Sequence, residues 1–224
     1  MVLHYGEITM KNTSKKLATI AFVSLLVLAS CGGDDSSESS TPSTDSASVT
    51  SEAATDSAPT EFAGQDLSNS SFIDIDFKGE DMAEVNLSGS DLTKSFFGSA
   101  TMTAANLSQA NLTETGFSFA DLSGADISGA TLANANFSVA ILSNANLADV
   151  KGAGSNFRKA QLDGASLVGA DFAGANFADA VLTGADLTNV DFTNANLFYA
   201  DLTGANMTGA ILTGANITGA IIPE

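Results

Sequence analysis

Residues 120–149 read ADLSG ADISG ATLAN ANFSV AILSN ANLAD. Every fifth residue is large and apolar: Leu122, Ile127, Leu132, Phe137, Leu142 and Leu147. Two places before each stands Ala, and between them stands Asp, Asn, Thr or Ile. A Ser or Ala follows, then Gly, Asn, Val or Asp. An interval of five matches neither the 3.6 of a helix nor the 2 of an ordinary strand. Each unit must extend briefly and then turn, sending one large and one small side chain into a shared interior. Gly and Asn fall where the bend is sharpest.

The same interval runs outward from this stretch in both directions. From Phe62 to Ile222 there are 33 such central positions, and only Gly152 is not a large apolar residue. Five residues cannot enclose a core alone, so the units must stack as a solenoid. Runs such as Ala125-Asp126-Ile127-Ser128-Gly129 and Ala185-Asp186-Leu187-Thr188-Asn189 resemble the A(D/N)LXX motif of the pentapeptide-repeat family. That resemblance implies an all-β fold, a right-handed quadrilateral β-helix with four pentapeptides per 20-residue coil. Residues 62–224 then form about eight coils, a rod roughly 40 Å long at a strand spacing of ~4.8 Å.

A 20-residue coil has consequences that the sequence states. Phe77, Phe97, Phe117, Phe137, Phe157 and Phe177 become one inner column of stacked rings. Lys94, Lys151 and Lys159 each have an acid one coil later, Glu114, Asp171 and Asp179, and Asp74 lies one coil before Lys94. Gly152 leaves a gap between Leu132 and Phe172, predicting a local irregularity near residues 150–154 or neighbouring side chains that move in. The first coils, Phe62 to Gly98, fit the motif poorly and read as a cap. The last coil ends in an open strand edge, which makes it a candidate homodimer contact that Pro223 partly blunts.

The leader carries a different signal. Lys11, Lys15 and Lys16 precede an apolar run from Leu17 to Ala29, and Leu28-Ala29-Ser30-Cys31 resembles a bacterial lipobox. The expected organisation is a lipoprotein signal peptide over 1–30, a lipidated Cys31 with a disordered Ser/Thr/Asp-rich tether over 31–61, and the β-helix over 62–224. Met10 is an alternative start. Gly32 after the cysteine favours the outer membrane of a Gram-negative cell. The tether has seven acids, no base and almost no large apolar residue.

Composition narrows the function. The formal net charge is −18, which opposes binding to bare nucleic acid. Cys31 and His4 are the sole cysteine and histidine, so the mature repeat region has neither thiol nor imidazole. Neither a cofactor nor a metal site is expected. Paired acids such as Asp171 and Asp191 follow from the repeat itself, and Ca²⁺ normally takes six or more oxygen ligands. The informative residues are outward ones that break the repeat: Phe96, Phe119, Val139, Arg158, Lys159, Phe198 and Tyr199. All fall on the side that carries the phenylalanine column. Aromatics beside cations suit a contact surface.

The leading expectation is a non-catalytic, lipid-anchored envelope protein that presents a rigid acidic β-helical surface to a protein, a second copy or a glycan. Membrane contact is through the lipid. The family resemblance supplies an alternative: a DNA-mimicking gyrase-binding protein, which requires that the chain stay in the cytoplasm. A glycan-active enzyme using paired carboxylates comes last.

Overall fold

The computed structural model describes residues 5–9, 19–23 and 62–223. The chain divides into two units, Met1–Asp56 and Ser57–Glu224. In the first, β1 (Tyr5–Thr9) and β2 (Thr19–Val23) form an antiparallel hairpin, with Ile8 opposite Ile20. Part of the apolar run from Leu17 to Ala29 is thus a strand. Among the described residues no helix is long and apolar enough to cross a membrane. Cys31 and the tether lie outside the described residues.

The second unit is the solenoid. Each residue before a central position forms a parallel bridge with the residue 20 further on, from Asp66–Asn86 through to Asp201–Ile221. One coil is therefore 20 residues and has four sides. Two backbone bonds recur on each side. The central N–H donates to the next coil, as Leu107 to the Asp126 carbonyl at 2.6 Å, and the residue before it donates to the previous coil, as Asn106 to the Val85 carbonyl at 2.9 Å.

The corners explain the rest of the repeat. Ala110 N–H donates to the Leu107 carbonyl at 3.1 Å, closing a four-residue turn, and most coils repeat this bond. The third residue of every such turn, from Gly64 to Gly219, has positive φ, between 53° and 73°. Positive φ at that place is the requirement of a type II turn, which is why Gly and Asn predominate there. The Asp or Asn before the central residue has its own task. Its side-chain oxygen accepts the backbone N–H two residues on, as Asp126 does from Ser128 at 3.0 Å and Asn136 from Ser138 at 3.1 Å. Much of the acidity is thus a consequence of folding chemistry.

Inside, the six phenylalanines stack as the spacing predicts, with successive ring centroids 4.9, 5.0, 4.7, 4.7 and 4.8 Å apart and planes within 13°. Each ring is fully buried. Burial of a side chain of this size contributes about 1.5–3 kcal/mol, so repetition supplies most of the stability. The gap at Gly152 is filled from the next coil: a Cβ there would collide with the Phe172 ring. That ring is edge-on to Phe157 and Phe177, at 5.3 and 5.0 Å, and stacks loosely on Phe192 of its own column, at 6.1 Å and 21°.

The first coils are regular despite their poor motif. Phe62, Leu67, Phe72 and Phe77 are buried, and polar residues at small inward positions find partners. The Ser90 hydroxyl donates to the Leu67 carbonyl at 2.9 Å and accepts from the Ser70 N–H at 3.1 Å, bridging a turn that no backbone bond closes. Ser95 does the same between Phe72 and Ile75. At the other end, Met207 and Leu212 are half-buried, and Ile217 and Ile222 are exposed.

Candidate contact surface

All seven residues singled out from the sequence lie outside the solenoid and on one side of it. Phe96 is 41% exposed, Phe119 64%, Val139 36%, Phe198 38% and Tyr199 60%, and Arg158 and Lys159 are also exposed. Between residues 62 and 205 the only exposed large apolar residue elsewhere is Ile73. The apolar outer surface is therefore one-sided. It also includes Lys78, whose ammonium lies 4.8 Å from the Phe96 ring centre, a cation–π contact that sequence reading missed. Lys78 occupies the same column as Arg158 and Phe198, and that shared column was the signal.

Every corner has positive φ, and the residues that occupy it mark this side. Its corner residues in six successive coils are Ser99, Phe119, Val139, Lys159, Asp179 and Tyr199, with φ of 57°, 62°, 60°, 60°, 60° and 54°. No other side goes through six coils without Gly or Asn at that place. A left-handed conformation costs an ordinary L-residue about 1–2 kcal/mol, and a β-branched residue such as Val139 suffers most. Strain of this kind concentrates where function needs a particular side chain.

The side has internal order as well. Phe198 and Tyr199 pack edge to face, 4.4 Å apart at 86°. Along one margin Asn136, Asn156, Asn176, Asn196 and Asn216 form a ladder. Each Nδ2 from Asn156 onward donates to the Oδ1 one coil earlier, at 3.1–3.2 Å. Arg158 meets Asp179 at 3.5 Å.

The expected cross-coil ion pairs are mostly corrected. Lys94–Glu114 forms, at 3.8 Å. Lys151–Asp171, Lys159–Asp179 and Asp74–Lys94 do not, and Arg158 is the partner of Asp179 instead. Exposed long side chains gain too little from pairing to be held by spacing alone.

Among the described residues no group of His, Cys, Asp and Glu has the arrangement of a metal centre. Asp191, one of the facing pair with Asp171, has its carboxyl held below the usual range by hydrogen bonds from the Thr193 side chain and backbone N–H. A carboxylate stabilised in its charged form is a poor proton-sharing partner. Asp186 and Asp201 are lowered likewise by Thr188 and Thr203.

Between residues 62 and 205 the exposed large apolar residues of this regular solenoid lie on one outer side, Ile73 excepted. The sequence profile described as pentapeptide repeats matches residues 81–118, 120–151, 155–194 and 191–222, more than half of the chain. The chain belongs to the pentapeptide-repeat family. Curated protein sequences give no significant match. Among solved structures it is similar to HetL, a pentapeptide repeat protein involved in heterocyst differentiation regulation in the cyanobacterium Nostoc sp. strain PCC 7120. The identity is 28%, covering 72% of this chain and 78% of that one, with a TM-score of 0.53. It is also similar in fold to a trypsin-treated form of QnrB1, a plasmid-mediated fluoroquinolone resistance protein. Here the identity is 23%, over 71% of this chain and 73% of that one, with a TM-score of 0.51. These relatives imply the right-handed quadrilateral form of the β-helix.

Proposed function

We propose that the protein is a non-catalytic, lipid-anchored envelope scaffold whose phenylalanine side binds a partner. The observation that carries this reading is the confinement of Phe96, Phe119, Val139, Arg158, Lys159, Phe198 and Tyr199 to one side. The strained corner residues of that side support it. The anchor rests on the sequence before Cys31: three lysines, an apolar run and a small-residue cleavage pattern. Two measurements test it. Metabolic labelling with a fatty acid and fractionation should give labelled, membrane-bound protein that loses both properties in Cys31→Ser. Replacing Phe198 and Tyr199 together with Ser should lower recovery of crosslinked envelope partners. Unlabelled cytosolic protein refutes the anchor and returns the gyrase-binding alternative; unchanged partner recovery refutes the contact side.

A further inference from the structure

The geometry points to a partner of one kind: a protein segment that carries acids between apolar side chains and lies along the rod. This rests on the phenylalanine side being the contact surface, and it goes further by assigning what that surface recognises.

Charge is the first argument. Between residues 62 and 223 the solenoid has seventeen acids and five cations. Three of the cations, Lys78, Arg158 and Lys159, occupy outward positions on this side, against two of the acids, Asp76 and Asp179. The other sides have the remaining fifteen acids and only Lys94 and Lys151. This side alone is not net negative. An acidic partner is repelled by the rest of the rod and steered to this side.

The order along the axis is the second. Phe119 and Val139 lie in successive coils, Arg158 and Lys159 follow one coil later, and Phe198 and Tyr199 two coils after that. Four coils at ~4.8 Å separate Phe119 from Tyr199 by roughly 19 Å. The coil between the cations and the aromatics holds Asp179, which meets Arg158 at 3.5 Å, so the surface is apolar, then net cationic, then aromatic. An extended segment rises about 3.3 Å per residue, so six residues cover the same distance.

The side chains themselves favour protein over glycan. Phe119, Val139 and Phe198 offer no hydrogen-bond donor to a sugar hydroxyl. Phe198 and Tyr199 stand at 86° to each other and so present no common flat platform. Apolar side chains at both ends with carboxylates between them complement the apolar ends and the cations, and compete with Asp179 for Arg158. The chain's own acidic tether lacks those apolar ends.

The test uses the detergent-solubilised full chain and three labelled nine-residue peptides. The first has Phe at positions two and eight with three Glu between; the second replaces Glu with Lys; the third replaces Phe with Ser. By fluorescence anisotropy the first should bind at least tenfold more tightly than either of the others. R158Q/K159Q should remove its advantage over the Lys peptide, and R158E/K159E should invert it. Equal binding of the Glu and Lys peptides, no binding at all, or a preference that survives R158E/K159E overturns the inference. So does equally tight, competing binding by a sulfated oligosaccharide. If these arms fail while the Phe198 and Tyr199 double substitution still lowers partner recovery in cells, the contact side stands and the acidic partner falls. Thermal melts of both charge variants establish that the fold is intact.

Discussion

Gly152 is the one central position without a side chain, and filling it should weaken the protein. A consensus-guided change, Gly152→Leu, restores the repeat on paper. In the structure the space is already taken, because even a Cβ would collide with the Phe172 ring from the next coil. That ring is held by edge contacts with Phe157 and Phe177 and by a loose stack on Phe192, so it cannot withdraw from the gap without disturbing all three. Overpacking of this kind costs about 1–3 kcal/mol. Phe172→Leu alone should also destabilise, by about 1–2 kcal/mol, since it empties part of the gap. In the Phe172→Leu background, however, Gly152→Leu has room. Burial of its side chain then contributes about 1.5–3 kcal/mol. The double variant should match or exceed the parent, with a favourable coupling of about 3 kcal/mol. Urea unfolding followed by circular dichroism measures all four proteins. Stabilisation by Gly152→Leu alone, or strictly additive effects, refutes the reasoning.

Further outcomes follow from the same contacts. Phe119→Asn should leave stability within about 1 kcal/mol of the parent, because relief of a left-handed aromatic offsets a mostly exposed ring; a large loss in a melt refutes the strain argument. Asn176→Ala removes the ladder bonds to Asn156 and Asn196 and the acceptor for Ala178 N–H, and should cost about 1–3 kcal/mol by urea unfolding. Asp186, Asp191 and Asp201 have folded pKa values below their unfolded ones, so each contributes stability above about pH 4 that is lost as pH falls through the folded value. The triple Asp→Asn variant keeps the acceptors but does not titrate there. Its melting temperature should therefore rise relative to the parent below pH 4, and identical pH profiles contradict the assignment.

Most of the fold was legible because one physical demand recurs. A large side chain every fifth residue has to be buried; the family resemblance implies four such units per coil, and the phenylalanines at 20-residue intervals from Phe77 to Phe177 support that number. The candidate contact side stood out for the complementary reason: Phe119 or Tyr199 at a corner that prefers Gly or Asn has no explanation in the repeat. What escaped the sequence was set by contacts that vary from coil to coil. The tilt of Phe172 into the Gly152 gap, the Ser90 and Ser95 hydroxyls that bridge opened turns, and the choice of Arg158 over Lys159 by Asp179 depend on local geometry that spacing does not encode. Lys78 breaks the small-residue pattern in the same column as Arg158 and Phe198, and its place over Phe96 shows what that break does.

The claim beneath all of this is that twenty residues make one turn of the rod. Spin labels at Ser88 and Thr188, on a Cys31→Ser background, lie in the same outward column five coils apart. Pulsed electron resonance should return a backbone separation of roughly 24 Å, and moving the second label to Thr208 should add ~4.8 Å. A distance that does not grow by one strand spacing for each twenty residues contradicts the coil, and with it the contact side.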